Sequence, residues 1–330
     1  MKSLRLPLLA SVASLSFCAM ASAEVPVVVT DIPAIGALAQ QVMGDLGTPE
    51  VLLEAGGDPH HYQLRPSQAR TLQSAGLLIW VGPELSPWLT RASEGMSDGT
   101  SLPLLIQPGT KLREYSADHG DHDHDHDHDH DHDHDHDHDH DHDHEDTASG
   151  HEGHDHSGVD PHAWLDPANG KLWLSAIADA LAARDPSNAA TYRSNAEAGA
   201  ARIEALDARI AASLAPVKEK HFAVFHDAYG YFTDHYGLEP AIPVSLGDAS
   251  TPAAARLKEV QQTITARQVA CAFPEINHDP KLMHVAIEGT QAKLGTALDP
   301  EGTQLPQGAG LYEAILESLG DALAGCLAGK

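Results

Sequence analysis

Residues 25–43 read VPVVVTDIPAIGALAQQVM, and this stretch decides the fold class. Its first part, Val25 to Thr30, is apolar and rich in β-branched residues, which predicts a buried strand. Its second part, Ile32 to Met43, repeats apolar residues at helical spacing. Two further apolar runs, at 51–53 and 77–81, follow with a helical pattern between them. A strand, a helix and another strand at this spacing predict a parallel sheet with right-handed crossovers.

The same alternation returns after Pro216, which predicts a second lobe of similar build. Its predicted strands are 221–225, 241–244, 269–273 and 293–298, and its predicted helices are 229–236, 251–265, 280–289 and 311–327. Between the lobes, residues 187–214 repeat apolar side chains at helical spacing, which predicts a helix of about 42 Å. The predicted fold class is α/β, with two similar lobes joined by one long rigid helix. Each lobe is expected to be a small parallel sheet with flanking helices.

The predicted domain boundaries follow from this pattern. Residues 24–186 form the N-terminal α/β lobe, which contains an insertion at about 117–158. Residues 187–215 form the linker helix, and residues 216–330 form the C-terminal α/β lobe. A metal site is expected in the cleft between the lobes, for reasons given below.

The N-terminus has the pattern of a secretory signal peptide. Lys2 and Arg5 supply positive charge, residues 6–20 are mostly apolar, and Ala21-Ser22-Ala23 matches a small-residue cleavage site. An uncleaved anchor is the alternative, but the apolar stretch is shorter than the about 20 residues that a membrane span needs. We therefore expect residues 1–23 to be a cleaved signal peptide and the exported protein not to span a membrane.

Two cysteines, Cys271 and Cys326, remain in the expected mature chain. An even number of cysteines in an exported protein predicts one disulfide, here between a late strand and the C-terminal helix. A metal-binding or catalytic thiol is the alternative, but no Cys-x-x-Cys pair supports it.

Between Asp121 and His144 the sequence repeats Asp-His twelve times. Alternating carboxylates and imidazoles leave nothing apolar to bury, which predicts a disordered insertion in a loop of the first lobe. Both side chains are ligands that zinc accepts. We expect weak zinc binding by these histidines: His122, His124, His126, His128, His130, His132, His134, His136, His138, His140, His142 and His144. Three roles of the insertion stay open. It gathers zinc and passes it to the cleft, or it senses high zinc and slows the transfer of zinc, or it is only a solvated segment.

The formal net charge of -28 at pH 7 narrows the class of partner. A surface this acidic repels nucleic acid and anionic lipid and attracts cations, so we expect no nucleic-acid partner. The chain also lacks a Gly-x-Gly-x-x-Gly loop and a P-loop, which argues against a nucleotide site.

Three histidines outside the insertion share a setting that favours a metal site. His60 and His226 each lie at or beyond the C-terminal end of a predicted strand, and His162 lies in an Asp-Pro-His motif. Ligands of open parallel sheets collect beyond the carboxyl ends of the strands. Two such edges facing each other would present three imidazoles to one ion. A satisfied interior side chain is the simpler interpretation of one such histidine, but three together favour a ligand set.

Four stretches carry a resemblance to a known family. They are PHHYQLRPS at 59–67, DPHAWLD at 160–166, HDAYGYF at 226–232 and LDP at 298–300. In this order they resemble the periplasmic zinc-binding component (ZnuA type) of bacterial ABC importers, over nearly all of the mature chain except the insertion. Members of that family have two α/β lobes joined by a rigid helix, with the metal between the lobes. The resemblance implies a periplasmic binding protein, not an enzyme, that delivers Zn²⁺ to an ABC permease in the inner membrane. We expect it to be a monomer.

The resemblance also implies His60, His162 and His226 as the zinc ligands. Asp299 matches a position that some relatives use as a fourth ligand and others fill with water, so both remain open. Some zinc-binding relatives carry a carboxylate directly before the first histidine, where this chain has Pro59. Relatives that carry manganese tend to replace the third histidine with Glu, whereas His226 here keeps a nitrogen-rich set that suits zinc. An acidic, histidine-rich insertion and two late cysteines that form a disulfide are common in the zinc-specific branch.

Three further residues are predicted to support the ligands. Asp166 and Asp227 are close in sequence to two of the histidines and are expected to hold ligand histidines by hydrogen bonds. His61 is expected to lie beside the ligands or at the surface, because its side chain points away from that of His60 if the backbone is extended. For the two aspartates, capping a helix or turn is an equally open alternative.

The rival functional class is a secreted zinc hydrolase, because three histidines and an open fourth position also hold catalytic zinc. The chain has no His-Glu-x-x-His motif, which argues against it.

Overall fold

The first half of the chain forms a parallel sheet with three helices packed around it. The computed structural model describes residues 24–97, 99–115, 158–247 and 249–329. The strands are β1 (Val28–Thr30), β2 (Glu50–Val51), β3 (Leu77–Trp80) and β4 (Ser101–Pro103), and the helices are α1 (Pro33–Met43), α2 (Pro66–Gln73) and α3 (Pro87–Glu94). All neighbouring strands pair in parallel, in the order β2-β1-β3-β4.

Strand β1 lies inside this sheet and explains why residues 25–43 decide the fold. Val28, Val29 and Thr30 are all buried, as expected for a parallel strand with helices on both faces of the sheet. Helix α1 follows β1 at once and packs closely on the sheet. A Cβ atom on Gly36 would lie 2.5 Å from Cγ2 of Val51. Glycine at this position therefore allows α1 to approach β2.

Two helices lead from the first sheet to the second, namely α4 (Pro167–Arg184) and α5 (Ala189–Leu214). Helix α5 has 26 residues, which is about 39 Å at 1.5 Å per residue, and short 3₁₀ turns adjoin both of its ends. Its buried residues include Ile203, Leu206, Ile210 and Leu214. The predicted long helix between two lobes is confirmed. Across the described ranges, no helix is both long and apolar enough to cross a membrane.

The second half repeats the architecture of the first. Its strands are β5 (Phe222–His226), β6 (Ile242–Ser245), β7 (Cys271–Phe273) and β8 (Lys293–Leu294), and its helices are α6 (Gly230–Tyr236), α7 (Ala254–Ala266), α8 (Pro280–Ile287) and α9 (Leu311–Leu327). The strands again pair in parallel, in the order β6-β5-β7-β8. In both sheets the first strand in sequence lies between the second and the third, so the predicted fold class of two similar α/β lobes is confirmed.

The C-terminal helix α9 contacts both lobes. Near its C-terminal end, Cys326 forms a disulfide with Cys271 of β7, which confirms the predicted pairing. Near its start, the buried hydroxyl of Tyr312 donates a hydrogen bond of 2.7 Å to the carbonyl of Trp164. A Cβ atom on Gly170 of α4 would lie 2.2 Å from the same hydroxyl oxygen. Helix α9 is therefore fixed to the second lobe at one end and packed against α4 at the other.

The structure differs most from the predicted elements at β4, α3 and β8. Strand β4 and helix α3 were not predicted, and β4, with only three residues, pairs with β3 alone. Such a short edge strand carries too few apolar residues for a periodic signal. The strand predicted at 293–298 is shorter, because β8 ends at Leu294 and pairing resumes only as an isolated bridge between Glu275 and Leu298.

One histidine joins the linker helix to both lobes. Nδ1 of His235 on α6 is 2.9 Å from Asp166 at the start of α4, and its Nε2 is 2.9 Å from Asp207 on α5. Lys111 also lies 3.2 Å from Asp166. Burial alone would lower the pKa of His235, but the hydrogen bonds and charges of the two aspartates outweigh it and raise that pKa. The two aspartates therefore favour the protonated, bridging form of His235.

We expect His235 to stabilise the metal-free protein more at acidic than at alkaline pH. Its folded-state pKa is higher than the value of about 6.5 in an unfolded chain. Its contribution is therefore complete below about pH 6.5 and is lost as the pH rises through the folded-state pKa. His235→Gln should lower the free energy of unfolding by about 1–3 kcal/mol at acidic pH and by less at alkaline pH, as measured by denaturant titration.

The exposed His284 of α8 provides the control, since His284→Gln removes an imidazole that bridges no lobes. It should leave the free energy of unfolding unchanged at both pH values. An equal loss for His235→Gln at acidic and alkaline pH would show that the bridge acts through shape and not through charge.

Candidate metal centre

Three histidines that are distant in sequence meet between the two lobes. His60 lies in the loop between β2 and α2, His162 directly precedes the 3₁₀ turn that leads into α4, and His226 is the last residue of β5. The ligand nitrogens of all three lie within 4.8 Å of one another. Nε2 of His162 is 3.3 Å from Nε2 of His226. The structure thus brings together the three histidines that the sequence singled out.

These imidazoles are largely shielded from solvent. His162 and His226 are 0% and 1% exposed, and their ring centroids are 5.1 Å apart. Nε2 of His60 is buried and has no hydrogen-bond partner within the described ranges. A buried polar atom without a partner costs about 1–3 kcal/mol. A divalent cation that accepts its lone pair would remove that cost, so the residues present fit a metal ion.

His162 is held by Asp160. Nδ1 of His162 lies 2.8 Å from Oδ1 of Asp160, and the same oxygen accepts a hydrogen bond of 3.0 Å from the backbone N–H of His162. A carboxylate only accepts, so Nδ1 carries the proton and Nε2 is left with a free lone pair facing the other histidines. The prediction of Asp166 for this role is wrong. Asp166 accepts from the backbone N–H of Ala168 at 2.7 Å and caps α4, which was the open alternative.

His226 is held by Glu275, which follows β7 closely in sequence. Nδ1 of His226 lies 2.8 Å from both carboxylate oxygens of Glu275, and the hydroxyl of Tyr229 donates to Oε1 of the same carboxylate at 2.8 Å. Asp227, which was predicted to support a ligand histidine or to cap a turn, contributes through its charge to raising the pKa of His226.

His60 is held through its backbone. Its N–H donates to Oδ1 of Asp58 at 2.9 Å, and Nε1 of Trp88 donates to the carbonyl of Pro59 at 2.7 Å. The side chain of His61 is 47% exposed and lies 2.8 Å from Oδ2 of Asp58. His61 therefore contacts Asp58 at the rim of the site, and its exposure agrees with the surface alternative.

Asp299 is buried but already engaged in hydrogen bonds. Its Oδ1 accepts from the backbone N–H of Thr303 at 2.9 Å, and its Oδ2 accepts from the backbone N–H of Gln304 at 2.8 Å. It is not part of the group of ligand atoms that the three histidines form. Two residues later, Glu301 is 6% exposed, and burial together with the charge of Glu275 raises its pKa to about 8.

The three imidazoles differ in protonation. Burial and the charge of His226 lower the pKa of His162, and burial with the charge of His162 lowers that of His60. Burial also opposes charge on His226, but Glu275 outweighs it and raises the pKa of His226 to about 9. The metal-free site therefore contains two neutral imidazoles and one imidazolium paired with Glu275. A bound metal would displace that proton, because metal ligation requires the neutral ring.

Comparison with known proteins identifies the family. The sequence profile of a family described as ZnuA, zinc-uptake complex component A periplasmic, matches residues 28–326. The chain belongs to the ZnuA family. The resemblance predicted from four short motifs is therefore confirmed over nearly the whole described chain.

Relatives in the ZnuA family match along most of their length. The high-affinity zinc uptake system protein ZnuA of Paracoccus denitrificans (strain Pd 1222) is 60% identical over 308 residues, which are 93% of this chain and 93% of that protein. The protein of the same description from Brucella abortus (strain 2308) is 35% identical over 336 residues, covering 99% of both chains.

Solved structures share the ZnuA-type fold. A crystal structure of ZnuA is 22% identical with a TM-score of 0.69, and the match covers 91% of this chain and 98% of that chain. The Mn-bound periplasmic metal-binding protein from Candidatus Liberibacter asiaticus is 20% identical with a TM-score of 0.71, covering 91% and 99%. At this identity the likeness establishes the fold.

The remaining site predictions lie elsewhere in the chain. The twelve histidines from His122 to His144 fall outside the described ranges. Sequence reasoning also missed Asp160 and Glu275. Asp160 could have been found, because it lies two residues before His162 in the Asp-Pro-His motif. Glu275 has no such signal, because it is 49 residues from His226.

Proposed function

We propose that this chain captures Zn²⁺ in the periplasm and delivers it to an ABC permease, with His60, His162 and His226 as the zinc ligands. The observation that carries the proposal is the convergence of three imidazole nitrogens within 4.8 Å. Each imidazole belongs to a different loop or strand end, and two of them are oriented by buried carboxylates. Such hydrogen bonds to carboxylates orient and strengthen histidine ligands.

The donor set favours zinc over manganese. Zinc prefers about four ligands and accepts imidazole nitrogen readily, whereas manganese favours more oxygen atoms in an octahedral shell. Three nitrogens and one oxygen satisfy zinc. Water or Asp299 would supply that oxygen, because each carboxylate oxygen of Asp299 accepts one backbone N–H, from Thr303 or Gln304, and keeps a second lone pair.

The family supports the cellular role. Its description is a periplasmic component of a zinc-uptake complex, and the two relatives described above are named high-affinity zinc uptake proteins. These proteins are transport components and not enzymes. We propose that residues 1–23 are removed on export, that lobes 24–186 and 216–330 flank the linker helix 187–215, and that the mature protein is a monomer.

We further propose that the Asp-His insertion binds several additional zinc ions weakly. Most free imidazoles are neutral near pH 7, since their pKa is about 6.5, and the neighbouring carboxylates attract cations. This binding should weaken as the pH falls, because the same carboxylates favour protonation of the imidazoles.

Metal titration of two proteins tests the assignment. We expect the mature chain to bind one zinc ion tightly and several weakly, and a variant lacking residues 117–158 to keep the tight site and lose the weak ones. Isothermal calorimetry with a competing chelator distinguishes the two classes. Loss of tight binding on deletion of the insertion, with the remaining chain still folded, would refute the three-histidine site.

A further inference from the structure

A half-buried arginine lies close to the segment that carries His162 and to helix α6, which follows His226. Nη1 of Arg113 is 3.4 Å from Oδ2 of Asp160, and its Nε is 3.1 Å from Oδ2 of Asp234 on α6. The side chain of Arg113 is 23% exposed and that of Asp160 is 0% exposed. Arg113 thus joins the aspartate that holds His162 to the helix that follows His226.

The two carboxylate oxygens of Asp160 contact different residues. Oδ1 accepts from both the ring and the backbone of His162, and Oδ2 faces Arg113. A buried carboxylate needs a positive or hydrogen-bonding partner for each oxygen. Removing Arg113 would leave Oδ2 without its charged partner, and the carboxylate could then rotate away from Nδ1 of His162.

The main chain around Arg113 is fixed as firmly as its side chain. The N–H of Arg113 donates to the hydroxyl of Tyr231 at 2.8 Å, and this hydroxyl donates to the carbonyl of Asp160 at 2.8 Å. The N–H of Asp160 in turn donates to the carbonyl of Arg113 at 2.8 Å. This closed set of hydrogen bonds joins the His162 segment to α6 through the main chain of Arg113.

Helix α6 is shaped to receive the guanidinium. A Cβ atom on Gly230, the first residue of α6, would lie 2.4 Å from Cζ of Arg113. Glycine therefore leaves room for the planar group to lie against the helix. A planar fork can face Asp160 and Asp234 together, whereas a lysine offers a single point charge.

We propose that Arg113 is a positioning residue of the zinc site, which holds Asp160, and through it the imidazole of His162, in register with His226 on the opposite lobe. The inference rests on the proposed function, since it presumes that His162 binds zinc. It assigns Arg113 a role in how tightly zinc is retained.

Arg113→Met tests this role, because methionine keeps part of the apolar stem and removes the charge. We expect zinc affinity to fall about tenfold, at the lower end of the range for residues that support metal ligands, mainly through faster dissociation. We also expect the visible absorption bands of the Co²⁺-substituted protein to shift, because His162 would approach the metal at a different angle. Arg113→Lys should recover part of the affinity and of the spectrum.

Arg184→Met provides the matched control. Arg184 is also a half-buried arginine, but its guanidinium donates to the carbonyls of Gly76 and Ala180 and contacts no residue of the site. Arg184→Met should lower the thermal stability and leave the zinc affinity and the Co²⁺ spectrum unchanged. Parallel losses of affinity in both variants would overturn the proposal, because they would reflect general destabilisation.

His162→Ala separates failure of this inference from failure of the proposed function. If His162→Ala loses tight zinc binding while Arg113→Met keeps wild-type affinity and spectrum, the role of Arg113 is wrong and the ligand set stands. If His162→Ala itself keeps tight binding, the ligand assignment is wrong. Should Arg113→Met not fold, Arg113→Lys decides, and a wild-type Co²⁺ spectrum with wild-type affinity in that variant would count against the proposal.

Discussion

His162→Ala should abolish tight zinc binding, with a loss of affinity of more than about 100-fold. Removing a residue that merely supports a metal ligand already costs about 10- to 100-fold, and this change removes a ligand. It also leaves Asp160 buried without the imidazole that it accepts from. Competition with a chelator of known zinc affinity measures the effect, and His60→Ala and His226→Ala should behave similarly.

His221→Ala is the matched control for these variants. His221 lies just before β5, at the opposite end of that strand from His226, and its imidazole is 3.6 Å from Glu239. It should bind zinc as the unchanged protein does. A drop in affinity for His221→Ala equal to that for His162→Ala would show that loss of histidine destabilises the lobes and would remove the support for direct ligation.

Trp164→Ala should both destabilise the protein and weaken zinc binding. Trp164 is 0% exposed, its Nε1 donates to the carbonyl of Pro300 at 2.8 Å, and its ring centroid lies 5.2 Å from that of His162. Replacing a buried tryptophan with alanine costs about 3–5 kcal/mol of stability. The cavity would lie against His162, so we expect zinc affinity to fall as well.

Trp173→Ala separates these two effects. Trp173 is also 0% exposed, but it lies on α4 and its Nε1 donates to Thr110. Chemical denaturation of the metal-free proteins should show similar losses of about 3–5 kcal/mol for both variants. Zinc titration should show weakened binding for Trp164→Ala alone. Equal zinc affinities in the two folded variants would mean that Trp164 stabilises the hydrophobic core but does not contribute to zinc binding.

The fold was predictable from sequence because its signals are local. The β-branched run before α1, the helical spacing of Ile203 and Ile210, and the return of apolar runs after Pro216 each report on neighbouring residues only. Strand β4 was not predicted because it is an edge strand of only three residues. Its place in the sheet depends on pairing with β3, and no local pattern encodes that pairing.

The ligand histidines were predictable for a different reason. His60 and His226 lie beyond or at the carboxyl ends of β2 and β5, where the ligands of open parallel sheets collect. His162 lies in the Asp-Pro-His motif before α4. The two carboxylates that hold these histidines differ in how far along the chain they lie from their partners. Asp160 lies beside His162, whereas Glu275 reaches His226 only through the pairing of β5 with β7.

The hydrogen bonds of Asp299 could not be predicted from its sequence motif. Its position in the Leu-Asp-Pro motif allowed a ligand or a water-filled alternative, and only the structure reveals that Thr303 and Gln304 donate to its two oxygens. These donors depend on how the loop after residue 299 turns back on itself. A sequence pattern contains the residues of that loop but not its path.

The bond between Cys271 and Cys326 has a consequence for the order in which this protein matures. The thiols stay reduced in the cytosol and pair in the oxidising compartment beyond the inner membrane. Helix α9, which spans from that bond to Tyr312 against α4, is therefore secured only after secretion. Before export the C-terminal helix is not covalently attached to β7. The disulfide that attaches it forms only in the periplasm.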